Sequence, residues 1–318
     1  MRHLSLFLLC FAVGCGASNP SHGGGGTGGT GGGGTGGTGG GGTGGTGGGG
    51  TGGTGGGGGA DGCTDAAKLI YVIDQDGTFS SFKPNQTDIT KSLFTDIGKL
   101  NCNAGGLYQP FSMSVDRSAN AWVEYFDQLS KSKMFKVSTA TAACTPTTFM
   151  GGQQGFNEFG MGFVSNAAGS TDETLYIGGG GMIGGAANLG TLDIATLAIT
   201  KGGSITGDPE LTGTGLAELW GFFPIVSGNN MARVAKIDKM NASESNVIML
   251  PSLSGTAQAW AFAFYGGDFW VFLATNGATV VYHVTTAGGM QPVNQLDTKT
   301  RHIVGAGVST CAPTTPIG

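Results

Sequence analysis

Four polar residues recur along the chain at steps close to fifty residues. Glu158, Glu210, Gln258 and His302 are separated by 52, 48 and 44 positions, and Pro110 stands 48 positions before Glu158. In a protein built of repeats, residues spaced in this way occupy equivalent places around one axis. Two carboxylates, an amide and an imidazole that converge could bind a cation, a sugar or a peptide, and could shift one another's pKa values as catalytic groups do. The alternative is a solvated polar rim whose members never meet.

Other motifs with chemical potential have simpler structural interpretations. Residues 179–184 have the spacing of a dinucleotide-binding loop, but a strand follows them where that loop needs a helix, so a long hairpin loop is predicted. Asp74-Gln75-Asp76-Gly77 resembles the start of a calcium loop, but the twelfth position is Asn85, which favours a hairpin turn. Gly-x-Ser-x-Gly and Cys-x-x-Cys motifs are both missing from the sequence. No cofactor is predicted, and a divalent cation at the polar rim remains the open alternative.

The elements that must position these residues are short β-strands that repeat. Similar small-residue strands begin at residues 111, 159, 211, 259 and 303. A more apolar second strand follows each of the first four, at 121–123, 174–177, 218–222 and 269–272. Third strands follow at 134–137, 190–194, 232–238 and 279–284, and a looser fourth is clearest at 246–250. Four strands in ~50 residues are typical of a β-propeller blade.

The two ends of the repeat region complement each other. Residues 69–73 and 78–82 look like second and third strands without a first, whereas 303–308 look like a first strand without a second. Joining them predicts an all-β, five-bladed propeller that is closed by strands from both termini, which removes exposed sheet edges. Small residues on the first strands suit the crowded axis of a five-fold ring. The four tryptophans fall on strands and are predicted to pack between blades: Trp122, Trp220, Trp260 and Trp270.

Four cysteines lie in the repeat region, at Cys63, Cys102, Cys144 and Cys311. An even number in an exported chain predicts two disulfides, for which four cysteines allow three pairings. Closure by both termini would bring Cys63 close to Cys311. That pairing is therefore favoured, and it leaves Cys102 to pair with Cys144.

The N-terminus is predicted to be a lipoprotein signal peptide followed by a flexible tether. Residues 1–14 have a positive start and an apolar run of about ten residues, too short to span a bilayer of ~30 Å, which is typical of a signal peptide. Small residues precede Cys15 as in a bacterial lipobox, so Cys15 is the predicted lipidation site, and Gly16, where an aspartate would retain a lipoprotein, favours the outer membrane. Residues 15–62 contain four copies of Gly-Gly-Gly-Gly-Thr-Gly-Gly-Thr. Such a segment has nothing to bury, so a disordered tether is predicted.

Composition limits the function of the domain that this tether carries, residues 63–318. The chain of 318 residues contains 65 glycines, only 11% charged residues and a net charge of −5. A basic nucleic-acid-binding protein is therefore unsupported. The 39% of hydrophobic residues suit a packed core rather than a fully disordered chain.

The domain resembles the secreted β-propeller lipoproteins of predatory and social, myxobacteria-like delta-type proteobacteria. The segments that carry the resemblance are 109–117, 159–163, 210–213 and 309–311, and it extends over roughly residues 63–313. It implies the propeller fold and the envelope location and no activity. We predict a lipoprotein that presents a propeller as a binding or scaffold module, with the membrane and a protein, peptide or glycan as partners. The alternative is a propeller enzyme that acts on glycans or lactones at the mouth of the central channel.

Overall fold

The computed structural model describes residues 62–86, 88, 90–127, 131–180, 186–226, 231–293 and 300–316. Within these ranges, twenty strands form five antiparallel sheets of four strands each. This architecture confirms the predicted five-bladed β-propeller. The predicted signal peptide, Cys15 and all of the predicted tether except Gly62 lie outside the described residues.

Each blade is a four-stranded meander, and its strands are numbered here in chain order. Blade 1 combines β20 (Ile303–Gly307) with β1 (Ile70–Asp74), β2 (Thr78–Phe82) and β3 (Phe94–Lys99). Blade 2 contains β4 (Gln109–Val115), β5 (Asn120–Phe126), β6 (Ser132–Ser138) and β7 (Cys144–Pro146). Blade 3 contains β8 (Glu158–Ser165), β9 (Glu173–Gly180), β10 (Ala186–Leu192) and β11 (Ile199–Thr206). Blade 4 contains β12 (Glu210–Gly213), β13 (Leu219–Phe223), β14 (Arg233–Ile237) and β15 (Glu244–Met249). Blade 5 contains β16 (Ala259–Tyr265), β17 (Asp268–Ala274), β18 (Val280–Val284) and β19 (Met290–Pro292). Short 3₁₀ turns lie at Ala66–Lys68 and Gln153–Gly155.

Blade 1 closes the ring with strands from both ends of the domain. Tyr71 on β1 pairs with Gly307 on β20, and Val72 pairs with Ala306. A disulfide joins Cys63 to Cys311 across a sequence separation of 248 residues. The second disulfide joins Cys102 to Cys144. The predicted closure and both favoured cysteine pairings are therefore confirmed.

The five inner strands crowd around the axis of the ring. Around the ring, the inner strands follow in the order β20, β4, β8, β12 and β16, and each strand contacts the next. A β-carbon at Gly160 would lie 2.8 Å from Cα of Glu210, and one at Gly307 would lie 2.8 Å from Cα of Ser114. Carbon atoms pack best at ~3.5–4.0 Å. Small residues on the inner strands are thus a steric requirement, as the sequence predicts.

The hydrophobic core is divided among the five interfaces between neighbouring blades. Each of five buried clusters draws its residues from two adjacent blades. Trp122, Trp220 and Trp270 are buried in three of these clusters, whereas Trp260 is only partly buried. The predicted role of tryptophan in interblade packing is confirmed, and Trp260 also reaches the channel mouth.

The two motifs that resemble ligand-binding loops lie in hairpins. β9 and β10 pair antiparallel on either side of residues 181–185, which lie outside the described residues. The turn between β1 and β2 spans Gln75 to Gly77, and Gly77 has a φ of +85°, the left-handed region that favours glycine. Both hairpins agree with the interpretation drawn from the sequence, except that Gly179 and Gly180 belong to β9 and not to the loop.

Candidate functional site

The predicted rim residues all lie where inner strands begin. Glu158 and Glu210 are the first residues of β8 and β12, and Gln258 and His302 immediately precede β16 and β20. The inner strands run in one direction, because Gly160 faces Glu210 while Gly162 faces Thr212. We call the end of the channel at which these strands begin the upper mouth.

Glu210 fills the channel just inside the upper mouth. Its carboxylate lies over Gly160, where a β-carbon would be 3.0 Å from Oε2. Ser112 on β4 donates a hydrogen bond of 3.0 Å to the same oxygen, so the side chain of Glu210 reaches past β8 to blade 2. Burial raises the pKa of Glu210 well above its usual value, against the hydrogen bonds from Ser112 and from the N–H groups of Met161 and Leu211. The side chain of Glu210 is therefore buried inside the channel and is not part of a solvated rim.

Glu124 is a third acidic residue at this place, and the sequence predictions do not include it. It lies on β5, is fully buried and accepts a hydrogen bond of 3.1 Å from the N–H of Phe159. Burial is the main cause that raises the pKa of Glu124 well above its usual value, and the charges of Glu158 and Glu210 add to it. The one signal in the sequence is an acidic residue in the middle of an otherwise apolar strand.

The cavity that Glu158 and Glu210 share at the upper mouth is very small. Glu158 and Glu210 share a cavity of about 10 Å³ with Phe111, Asp208 and Trp260, among other residues. That volume corresponds to about one water molecule. The two carboxylates therefore do not face each other across a pocket that could hold a sugar ring.

The other two rim residues lie elsewhere. Gln258 is exposed, and its side-chain oxygen accepts a hydrogen bond of 3.4 Å from the N–H of Gly277 within its own blade. His302 lines a separate cleft. In the described part of the chain, no group of three or more His, Cys, Asp or Glu side chains is arranged to hold a metal ion. The structure thus brings together only Glu158 and Glu210 of the predicted set.

The cleft that contains His302 lies on the same face of the ring, over blade 1. Its volume is about 590 Å³, within the ~300–1,000 Å³ of small-molecule sites. All of its lining residues are polar: Asp74, Gln75, Asp76, Thr78, Asp96, Gln109, Thr300, Arg301 and His302. We call it the blade 1 cleft. The turn between β1 and β2 therefore contributes to a site, although its motif is not a calcium loop.

Arg301 organises the wall of the blade 1 cleft. Its Nη1 donates hydrogen bonds to Asp74 Oδ2 at 2.8 Å and to Ser80 Oγ at 3.1 Å. Its Nη2 donates to Asp96 Oδ1 at 2.6 Å. The guanidinium also stacks on the ring of Phe94, 4.6 Å from its centroid. Arg301 thus ties the segment before β20 to β1, β2 and β3, and holds two carboxylates at fixed positions.

The three carboxyl groups of the cleft differ in acidity. Burial raises the pKa of Asp74 to about 6, even though Arg301 opposes the shift. Hydrogen bonds from the hydroxyl and N–H of Thr78 lower the pKa of Asp76 to about 2, with help from Lys99. Hydrogen bonds from Ser80 and Arg301 lower the pKa of Asp96. Oδ1 of Asp74 is buried and accepts no hydrogen bond from the described residues.

No helix among the described residues is long and apolar enough to cross a membrane. No protein-family model matches the chain, and neither does any curated protein sequence.

Several solved structures are similar to the chain at low sequence identity. A protein of unknown function from Bacteroides caccae is 8% identical, covers 74% of this chain and 84% of its own, and gives a TM-score of 0.43. TolB from Acinetobacter baumannii is 10% identical, with 76% and 67% covered and a TM-score of 0.43. Virginiamycin B lyase from Staphylococcus aureus is 14% identical, with 74% and 73% covered and a TM-score of 0.37. None of these similarities assigns an activity to this chain.

Proposed function

We propose that the protein is a lipoprotein of the cell envelope that presents its propeller as a ligand-binding module, with the blade 1 cleft as the binding site. The observation that carries the proposal is the contrast between two places on one face. At the channel mouth, the buried carboxylates of Glu158 and Glu210 share a cavity of only about 10 Å³, whereas the blade 1 cleft is open and holds about 590 Å³. The burial of these carboxylates favours binding over catalysis at the axis.

An enzyme that acts on glycans or lactones at the channel mouth receives less support. Glycoside hydrolysis needs two carboxyl groups on either side of a bound sugar, ~5–10 Å apart. Glu158 and Glu210 are 4% and 2% exposed, and Glu210 is already bonded to Ser112. A substrate would have to displace this buried side chain before it could reach either carboxylate.

The path of the chain supports presentation of the cleft. β20 begins at the upper mouth and leads to Cys311 at the opposite end of the channel. There Arg117, just beyond the end of β4, donates hydrogen bonds to Thr310 Oγ1 at 3.1 Å and to Cys63 Sγ at 3.2 Å. The predicted tether therefore joins the propeller on the face opposite the blade 1 cleft.

Ligand binding is tested by filling the cleft. Gln75 is exposed on the β1–β2 turn and lines the cleft, so Gln75→Trp occupies the site without entering the core. Ala140→Trp, on the exposed turn between β6 and β7, is the matched control. The lipidated protein, purified in detergent, is screened by thermal shift against monosaccharides, amino acids, diamines, diols and dicarboxylates. We expect a stabilising ligand for the wild type and Ala140→Trp, but not for Gln75→Trp. A stabilising ligand that acts equally on all three would contradict the proposed site.

Lipid anchoring has its own test. Cells that express the full chain are fed an alkyne-labelled palmitate, and the protein is isolated and scored for label. Cys15→Ser is expected to abolish labelling, whereas the control Cys10→Ser, in the predicted signal peptide, keeps it. Gly16→Asp is expected to move the labelled protein from outer-membrane to inner-membrane fractions. Equal labelling of Cys15→Ser and wild type would refute the anchor.

A further inference from the structure

The charges of the blade 1 cleft leave acceptors rather than donors available to a ligand. Three carboxylates line it, those of Asp74, Asp76 and Asp96. The two cations beside them are already engaged, because Arg301 bonds Asp74 and Asp96 while Lys99 bonds Asp76 at 3.0 Å. The three carboxylates and these two cations carry a net charge of −1. An anionic ligand would have to compete with the carboxylates for Arg301.

One acceptor lacks a partner. Asp74 is 5% exposed, and its Oδ1 accepts no hydrogen bond from any described residue, although Oδ2 is bonded to Arg301. A buried acceptor that has lost its water without gaining a donor is unfavourable. A ligand that brings an N–H or O–H group to this oxygen removes the penalty, and a charged donor makes the stronger bond.

The other lining groups extend the same preference. Asp96 is 61% exposed at its side chain, so a ligand already bound at Asp74 can approach its carboxylate from solvent. Gln75 and Gln109 lie at the rim, where Nε2 of Gln75 donates a hydrogen bond of 3.1 Å to Oε1 of Gln109 and the two amides add oxygen acceptors. A primary ammonium has three donors and no acceptor, which matches a wall of carboxylate and amide oxygens.

We infer that the blade 1 cleft binds ligands that carry a primary ammonium group, with Asp74 and Asp96 as the residues that recognise it. This inference rests on the proposed function, because it assigns a chemical class to the same site. It excludes dicarboxylates as ligands, and it predicts that uncharged diols bind the cleft more weakly than the corresponding diamines.

Three four-carbon probes of equal length test the inference: putrescine, 1,4-butanediol and succinate. Binding to the full lipidated protein in detergent is measured by isothermal titration calorimetry at pH 7.5 and low salt. We expect putrescine to bind, butanediol to bind at least ~10-fold more weakly and succinate not to bind. Asp74→Asn and Asp96→Asn should each weaken putrescine by ~10-fold or more, which is the usual effect of losing one charged hydrogen bond. Asp172→Asn, an exposed residue on the opposite face, removes the same charge and should change nothing.

The outcomes separate the inference from the proposed function. Butanediol binding as tightly as putrescine, or equal effects of Asp96→Asn and Asp172→Asn, would overturn the ammonium site. Binding of succinate, or of butanediol without binding of putrescine, would overturn it too, yet would uphold the cleft as a binding site if Gln75→Trp blocks that binding. Asp96→Asn decides the matter if Asp74→Asn fails to fold, since the Asp96 side chain is largely exposed.

Discussion

Replacement of Gly160 by alanine should disrupt the axis of the propeller. Gly160 lies on β8, and its missing side chain leaves room for the backbone of β12 and for the carboxylate of Glu210. An added β-carbon would lie 2.8 Å from Cα of Glu210 and closer still to the carbonyl oxygen of Pro209. Both are backbone atoms, so no side-chain rotation can relieve the contact. The two inner strands must move apart instead.

The size of the effect follows from the distance. Carbon atoms pack best at ~3.5–4.0 Å, so β8 and β12 must separate by ~0.7 Å or more in a ring whose other strands are fixed. Overpacking of a dense core costs ~1–3 kcal/mol, and the rigid backbone on both sides places Gly160→Ala at the upper end, ~3 kcal/mol. With a urea dependence of ~3 kcal/mol per molar, the unfolding midpoint should fall by ~1 M.

The measurement is urea unfolding of the oxidised protein, followed by tryptophan fluorescence and by far-ultraviolet circular dichroism. Gly106→Ala is the control, because nothing lies within 4 Å of a β-carbon at that exposed position. Its free energy of unfolding should stay within ~0.5 kcal/mol of wild type. If Gly160→Ala unfolds at the same urea concentration as Gly106→Ala, the argument that the axis admits only glycine at this position is refuted.

Three further predictions concern the disulfides and the buried acids. Loss of the Cys63–Cys311 bond, which spans 248 residues, should reduce stability by roughly 5 kcal/mol. Loss of Cys102–Cys144, which spans 42 residues, should cost roughly 4 kcal/mol, because the shorter loop restricts the unfolded chain less. Thermal unfolding of the two double Cys→Ser variants tests this order, and the opposite order would show that chain entropy does not dominate. Because the folded pKa of Asp74 is raised to about 6, its proton stabilises the fold at low pH and this stability is lost as the pH rises through that value. As the pH falls from 7 to 4, the free energy of unfolding of wild type should therefore rise relative to that of Asp74→Asn, by up to roughly 3 kcal/mol. A difference in unfolding midpoint that stays constant over this range would contradict the raised pKa of Asp74. Burial raises the pKa of Glu124, so Glu124→Gln should gain stability relative to wild type as the pH rises to 9, and parallel pH profiles of melting temperature would count against it.

The architecture could be predicted because its signals are local and repeated. Small-residue strands recur near every fifty positions, and each blade buries its apolar residues against the next blade, so the same pattern appears five times. The incomplete repeats at the two ends could be joined because the N-terminal repeat lacks an inner strand and the C-terminal repeat consists of an inner strand alone. The pairing of Cys63 with Cys311 then followed, because this closure brings the two cysteines close together.

The site could be predicted only in part, because its geometry depends on side-chain directions that a period does not encode. Glu158, Glu210 and His302 occupy equivalent positions in the repeat. Glu158 and Glu210 turn into the channel, where Gly160 leaves space for the carboxylate of Glu210. His302 turns toward blade 1 instead. The blade 1 cleft depends on Arg301, whose partners Asp74 and Asp96 are more than 200 positions away in sequence. No local pattern around residue 301 indicates that it closes the blade.

The disulfide between Cys63 and Cys311 also determines how the propeller responds to mechanical load. A pull on the segment before Cys63 would otherwise peel β1 away from β20, one hydrogen-bonded pair after another. The sulfur bridge passes the force to both strands at the same end of blade 1, next to the pairing of Tyr71 with Gly307. A force at that point pulls the two strands together as one body. The closure that completes the ring would thereby also resist tension applied through the segment before Cys63.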